Sequence, residues 1–261
     1  MVDSANKPGV RGAELSLAMP CYNEAEALRS TATRLIRHFR DEGVRLELVM
    51  VDNGSTDRTG EIIDELVDEG LPVVKATVPV NKGYGNGVLT GLGACSAPWV
   101  GFVCADGQVS ETEIVRLYKV ACVGGPKLAK VRRRFRMDGW NRKLISIAYN
   151  SLINVLFGGL GSIDINGNPK ILPADAIQRM DLQSEDWFLD AEVMIKAKQL
   201  GLPVFEMNVL AQMREGGTSN VQASTCAEFL RNLWRARTRG LGTLASASTE
   251  APAVGSATAN D

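Results

Sequence analysis

Two carboxylates stand directly after compact apolar runs. Asp52 follows Leu46–Val51 in V-D-N-G-S-T-D, and Asp106 follows Trp99–Val103 in C-A-D-G-Q. At the first position a carboxylate can accept hydrogen bonds from a nucleobase or ribose, or cap its own turn. At the second it can hold a divalent cation carrying a diphosphate, with Gln108 as a neutral oxygen ligand; oxygen donors suit Mg²⁺ or Mn²⁺. A basic stretch follows: Lys127, Lys130, Arg132, Arg133, Arg134, Arg136 and Arg142, opposed only by Asp138. Such runs usually form a solvated face. Arg142 and Ser146, however, stand one helical turn apart and can address one anion, and arginine grips phosphate through two parallel donors. Glu185 and Asp186 are candidate bases for a hydroxyl acceptor. Their alternative is as first-turn charges of a helix over Ser184–Gly201, capped by Ser184. Arg214, ahead of Gly216-Gly217, can close over a diphosphate and stabilise leaving-group charge.

The elements that must position these groups follow from hydropathy. Strands are expected over Glu14–Met19, Leu46–Val51, Pro72–Thr77 and Trp99–Val103. Helical spacing appears in Glu24–Asp41 and Thr56–Glu69, and a helix is expected to open at Asn81-Lys82-Gly83 and run through Ala94. Strand and helix thus alternate over the first 120 residues, which implies a mostly parallel sheet with helices on both faces. Ligands of such sheets bind beyond the carboxyl ends of the strands, so Asp52 and Asp106 are expected to face one crevice. A further strand is expected over Pro203–Met213. The segment 125–140 is open between strand and loop.

Composition narrows the classes. The chain has 261 residues, with 29 basic and 30 acidic side chains and a net charge of −1. A near-neutral chain lacks the broad basic surface of a general nucleic-acid binder. Hydrophobic content of 45% is that of an ordinary globular protein. The five cysteines form no C-x-x-C pair, and the lone His38 sits in a charged helical stretch. A multi-histidine metal site is therefore excluded, the cysteines argue against a zinc knuckle or a disulfide framework, and reduced thiols point to the cytoplasm. No signal peptide is visible. The uncharged stretch Leu144–Ile163 carries Ser146, Asn150 and Asn154 as a polar stripe, which reads as a buried or membrane-surface helix. Residues 227–239 mix Phe229, Leu230, Leu233 and Trp234 with four arginines and can pack on the domain or lie on an anionic bilayer. We expect a flexible N-terminus (1–12), one domain (13–240) and a disordered tail (241–261).

Seven segments, in order, resemble the family 2 glycosyltransferases, especially the dolichyl-phosphate mannosyltransferase-like branch. They are P-C-Y-N-E (20–24), V-D-N-G-S-T-D (51–57), N-K-G-Y-G-N-G (81–87), A-D-G-Q (105–108), D-I-N-G-N-P-K (164–170), F-L-D-A-E (188–192) and R-E-G-G-T-S (214–219). The resemblance covers about residues 14–237. It implies a GT-A fold, a UDP- or GDP-sugar donor and Mg²⁺ or Mn²⁺. On this sequence it places Pro20, Tyr22, Glu24 and Asp52 around the nucleoside, with Lys82 and Gly83 nearby. Asp106 and Gln108 take the metal and diphosphate. Arg142, Ser146 and one of Arg133 or Arg134 take the phosphate of a polyprenyl acceptor. Asp164 and Asp190 match positions facing the active site.

One departure stands out: Cys104 replaces the first Asp of the usual D-x-D. The expectation is an inverting, metal-assisted transferase acting on a polyprenyl phosphate at the inner face of the membrane as a peripheral protein. The alternatives are a soluble transferase acting on a hydroxyl of a small metabolite or glycan, and a non-catalytic nucleotide-sugar-binding protein.

Overall fold

The computed structural model describes residues 9–134 and 149–210. Its first half follows the alternation of the sequence. Strand β1 (Leu15–Cys21) leads to helix α1 (Leu28–Asp41), β2 (Leu46–Asn53) to α2 (Thr59–Asp68), and β3 (Val73–Val78) to α3 (Tyr84–Ala94). Strand β4 (Trp99–Phe102) leads to α4 (Glu111–Ala121). Strand β5 (Leu128–Arg134), helical residues 149–156 (α5), β6 (Lys170–Pro173), α6 (Ala174–Met180), α7 (Leu189–Gln199) and β7 (Val204–Leu210) complete it.

The seven strands form one sheet in the order β3-β2-β1-β4-β6-β5-β7. Strands β1, β2, β3 and β4 pair in parallel, and so do β5 and β7. Only β6 runs against its neighbours β4 and β5. The mostly parallel sheet expected from the sequence is therefore present. β1 and β2 are buried along almost their whole length, as strands covered on both faces must be. Leu28, Leu35 and Phe39 of α1 pack on one face with Ile62 and Leu66 of α2 and Ile114 and Leu117 of α4. Val88 of α3, Ile153 of α5, Met180 of α6 and Val193 of α7 pack on the other.

Three expectations need correction. The helices after the polar loops start later than their patterns suggest, at Leu28, Thr59 and Tyr84, because the intervening residues make side-chain bonds across the loops instead. The helix expected from Ser184 begins at Leu189, with Phe188 at its N-cap position. The Glu192 carboxylate accepts the N–H groups of Gln183 and Ser184, and Asp186 Oδ1 accepts that of Phe188 at 2.8 Å. Residues 184–187 are thereby held as a loop, so Glu185 and Asp186 are not first-turn helix charges. Nor is the whole basic run a solvated face. Lys130 is fully buried and Arg133 is ion-paired.

Arg142, Ser146, Arg214, residues 227–239 and the tail 241–261 lie outside the described residues, as does the side chain of Arg134. Among the described residues, no helix is long and apolar enough to cross a membrane.

Candidate active site

The first two motif loops are stitched together at the carboxyl ends of β1 and β2. Asn23 takes a left-handed conformation, φ 55°. Its N–H donates to Ser55 Oγ, while its Oδ1 accepts the Thr56 N–H at 2.8 Å. The Glu24 N–H donates to Thr59 Oγ1 at 2.9 Å, and the Ala25 N–H to Asp57 Oδ2 at 3.1 Å. Burial pushes the Asp57 pKa up, but the hydrogen bonds from Thr59 and Ala25 outweigh it and hold the group below the usual carboxylate value. Pro20 lies near the end of β1, and Tyr22 and Glu24 sit on the braced loop that follows it, with Tyr22 exposed.

Asp52 is half-buried at the end of β2, where Oδ1 accepts the Ser55 N–H at 3.0 Å. A Cβ on Gly60 would lie 2.5 Å from its Oδ2, so glycine there leaves the carboxylate its room. The turn-capping alternative for Asp52 is realised.

The third motif, 81–87, runs from a short loop into the first turn of α3 and meets the 184–187 loop. Asn86 N–H donates to the Glu185 carbonyl at 2.8 Å, and the Tyr84 ring stacks on Trp187 at 4.7 Å between centroids. Gly83 has φ +128°, and a Cβ there would lie 2.6 Å from the Glu185 carbonyl oxygen. The exposed Lys82 precedes it. Asp186 is therefore presented beside the 81–87 motif.

Asp106 follows β4. Its Oδ1 accepts the Gln108 N–H at 3.2 Å, a local turn made over Gly107. Asp106, Gln108, Cys104, Arg133 and Asn168 line one cavity, and Asp52 is not among its lining residues. Both carboxylates nevertheless stand at the carboxyl ends of parallel strands that flank β1, Asp52 in β2 and Asp106 just after β4. Burial, followed by the charge of Asp106, pushes the Cys104 thiol up to about 12. Without a bound metal Cys104 is thus a neutral thiol, which carries no charge in place of the missing carboxylate.

Among the described residues, no three His, Cys, Asp or Glu side chains converge as a metal cage. Mg²⁺ commonly takes one or two carboxylates, keeps several waters and shares substrate phosphates. One carboxylate with a neighbouring amide oxygen fits that pattern.

Arg133 reaches the same cavity from β5. Its Nε donates to Asp164 Oδ2 at 3.2 Å and its Nη2 to the Asn166 carbonyl at 2.9 Å. Burial pulls the guanidinium pKa down, but Asp164 more than offsets it. Asp164 also closes its own turn, since its carbonyl accepts the Gly167 N–H. Asp190 is a correction. It is buried against Lys170 and does not open to the cavity. Asn168 Nδ2 contacts Asp190 and the Tyr84 hydroxyl, linking the core to the site loops. His38 lies away from the cavity, 2.9 Å from Thr112 Oγ1.

Sequence reasoning missed Tyr84, Trp187 and Asn168 as site supports. Tyr84 and Asn168 lay inside motifs already singled out, but their contacts are long-range.

Residues 16–174 match the model of glycosyl transferase family 2. The chain belongs to this family. An undecaprenyl-phosphate 4-deoxy-4-formamido-L-arabinose transferase of Proteus mirabilis is 30% identical over 146 residues, 56% of this chain and 44% of that protein. A dolichyl-phosphate beta-glucosyltransferase of Trichomonas vaginalis is 27% identical over 213 residues, 75% of this chain and 64% of that protein. The family 2 chain thus spans less than two thirds of either relative.

Its fold matches that of glucosyl-3-phosphoglycerate synthase from Mycobacterium tuberculosis, determined with Mn²⁺, UDP and phosphoglyceric acid. The TM-score is 0.68 at 20% identity, covering 89% of this chain and 80% of that one. At that identity the likeness carries the GT-A fold alone.

Proposed function

We propose that this family 2 protein is an inverting glycosyltransferase. It moves a sugar from a UDP- or GDP-sugar to a polyprenyl phosphate, assisted by Mg²⁺ or Mn²⁺. The observation that carries the reading is the cavity at Asp106, where a fixed guanidinium, Arg133, faces the carboxylate best suited to hold a metal-bound diphosphate. The relatives that act on undecaprenyl phosphate and dolichyl phosphate support a phosphate acceptor.

In this reading Pro20, Tyr22, Glu24, Asp52, Lys82 and Gly83 bind the nucleoside end of the donor. Asp106 and Gln108 hold the metal, which would neutralise charge on the departing nucleoside diphosphate. Arg133, Arg142 and Ser146 hold the acceptor phosphate behind the anomeric carbon, and Arg134 is the alternative to Arg133. Arg214 closes over the diphosphate. A phosphate oxygen forms the new bond to the anomeric carbon as its bond to the donor diphosphate breaks. A phosphate monoester is already anionic near neutral pH, so it needs no general base.

The second reading, a hydroxyl acceptor, is favoured by one observation. Asp186 is presented on a braced loop beside the 81–87 motif, as a base must be. Asp186→Asn separates the two. With a phosphate acceptor kcat should stay within about threefold; loss of a required base would cost about 10²–10⁴-fold. Steady-state transfer rates measure the difference.

The protein would act at the cytoplasmic membrane face as a peripheral protein. The outward side of α5 supports this. Val155 is 79% exposed and Ile163 beyond it 58%, with Leu152 and Leu156 also exposed. Val155→Asp/Leu156→Asp should reduce sedimentation with anionic lipid vesicles several-fold while leaving nucleotide binding intact.

A further inference from the structure

The proposed anion-binding guanidinium is not held by Asp164 alone. The segment 162–164 that carries Asp164 is itself fastened to the sheet by Glu206 on β7. Glu206 accepts the Ser162 hydroxyl, the Ile163 N–H at 3.1 Å and the Asp164 N–H at 3.3 Å. Its direct cross-strand neighbour on β5 is Lys130. The fully buried Lys130 ammonium donates to Glu206 Oε2 at 3.1 Å, to the Asp164 carbonyl and to the Val131 carbonyl. Gly167 completes the clamp, because a Cβ there would lie 3.0 Å from Lys130 Nζ and closer still to the Val131 carbonyl. Glu206, Lys130, the 162–164 backbone, Asp164 and Arg133 therefore form one continuous chain of contacts ending in the Asp106 cavity.

We propose that Glu206 is a positioning residue for the acceptor phosphate, fixing Arg133 through Lys130 and the 162–164 segment without touching substrate itself. The inference rests on the reading of Arg133 as an acceptor-binding group. A carboxylate that accepts two successive backbone N–H groups and a hydroxyl sets the height of that segment over the sheet, and with it the reach of Asp164. Lys130 locks the same segment through its carbonyl side. The charge balance is local. Burial and then neighbouring Lys170 lower the Lys130 pKa to about 8, against the pull of Glu206 and Asp164. Removing the Glu206 charge would let Lys130 shed its proton more readily, so the sheet need not bury an unpaired ammonium in the neutral variant.

The test compares Arg133→Ala, Glu206→Gln and the double variant, using farnesyl phosphate as acceptor probe and UDP and GDP as donor probes. Arg133→Ala should weaken farnesyl phosphate binding by about tenfold or more. Glu206→Gln should weaken it severalfold, leave nucleotide affinity unchanged, and have no added effect when Arg133 is already alanine. Transfer kinetics should show a raised acceptor KM with donor KM unchanged.

Full farnesyl phosphate affinity in Glu206→Gln, additive losses in the double variant, or a parallel loss of nucleotide binding would each overturn the positioning role. Should Glu206→Gln fail to fold, Lys130→Met/Glu206→Gln, which leaves no unpaired ion, carries the same comparison. Wild-type farnesyl phosphate affinity in Arg133→Ala would instead overturn the acceptor reading itself.

Discussion

Asp106→Asn should abolish sugar transfer while leaving the fold in place. The substitution keeps the shape of the side chain and its oxygen acceptor for the Gln108 N–H, so the turn over Gly107 survives. What it removes is the charge. With a neutral thiol at Cys104, no second carboxylate replaces the missing member of the D-x-D pattern. A site with one charge to offer a metal-bound diphosphate loses all of it in this variant. Removing a single preorganised charge-stabilising group costs about 10²–10³-fold in kcat, and the absence of a second carboxylate places Asp106→Asn at or beyond the upper end. The checks are initial transfer rates against Mn²⁺ and Mg²⁺ concentration, and a melting temperature within a few degrees of the parent. Cys104→Asp should move the other way and strengthen metal dependence.

The largest loss of stability is expected from Asp190→Ala. Asp190 is buried and forms an ion pair with the fully buried Lys170. Asn168 bonds to both, at 3.4 Å to Asp190 and 3.2 Å from Lys170 Nζ. Removing one partner of a buried pair strands the other charge, which costs about 3–5 kcal/mol. For a chain of this size that is a fall of about 10 °C or more in melting temperature. The effect should reach the site, because Asn168 also donates to the Tyr84 hydroxyl, and Tyr84 stacks on Trp187 beside Asp186. Thermal unfolding with and without UDP measures both consequences. Asp190→Asn, which keeps the oxygen acceptor, should lose less. A variant as stable as the parent would contradict the structural role.

The half of the sheet built from β1 to β4 was legible because its physics is local. Apolar runs of strand length alternate with helical periodicity, and each strand runs into a loop that holds Asn, Asp or Gly. The other half hides the same information in long-range pairs. Leu128–Arg134 reads as a basic run, yet Lys130 is core because the distant Glu206 pairs with its charge and the distant Asp164 carbonyl accepts its N–H. Lys170 opens the four-residue strand β6 and is buried only by virtue of Asp190.

The Asp106, Gln108 and Arg133 cluster was within reach of motif spacing. The reading of Asp190 as active-site-facing, and of Glu185 and Asp186 as helix charges, failed for one shared reason. Side-chain bonds from Lys170 and Glu192 decide those positions, and periodicity does not register them.

The most direct measurement is transfer itself. The purified protein would be incubated with a panel of UDP- and GDP-sugars, Mn²⁺ or Mg²⁺, and a polyprenyl phosphate, with mass spectrometry of the lipid and parallel detection of released nucleotide. The proposed function predicts a metal-dependent glycosylated lipid that disappears in Asp106→Asn. Nucleotide binding without any glycolipid, or sugar appearing only on a hydroxyl acceptor, would contradict it.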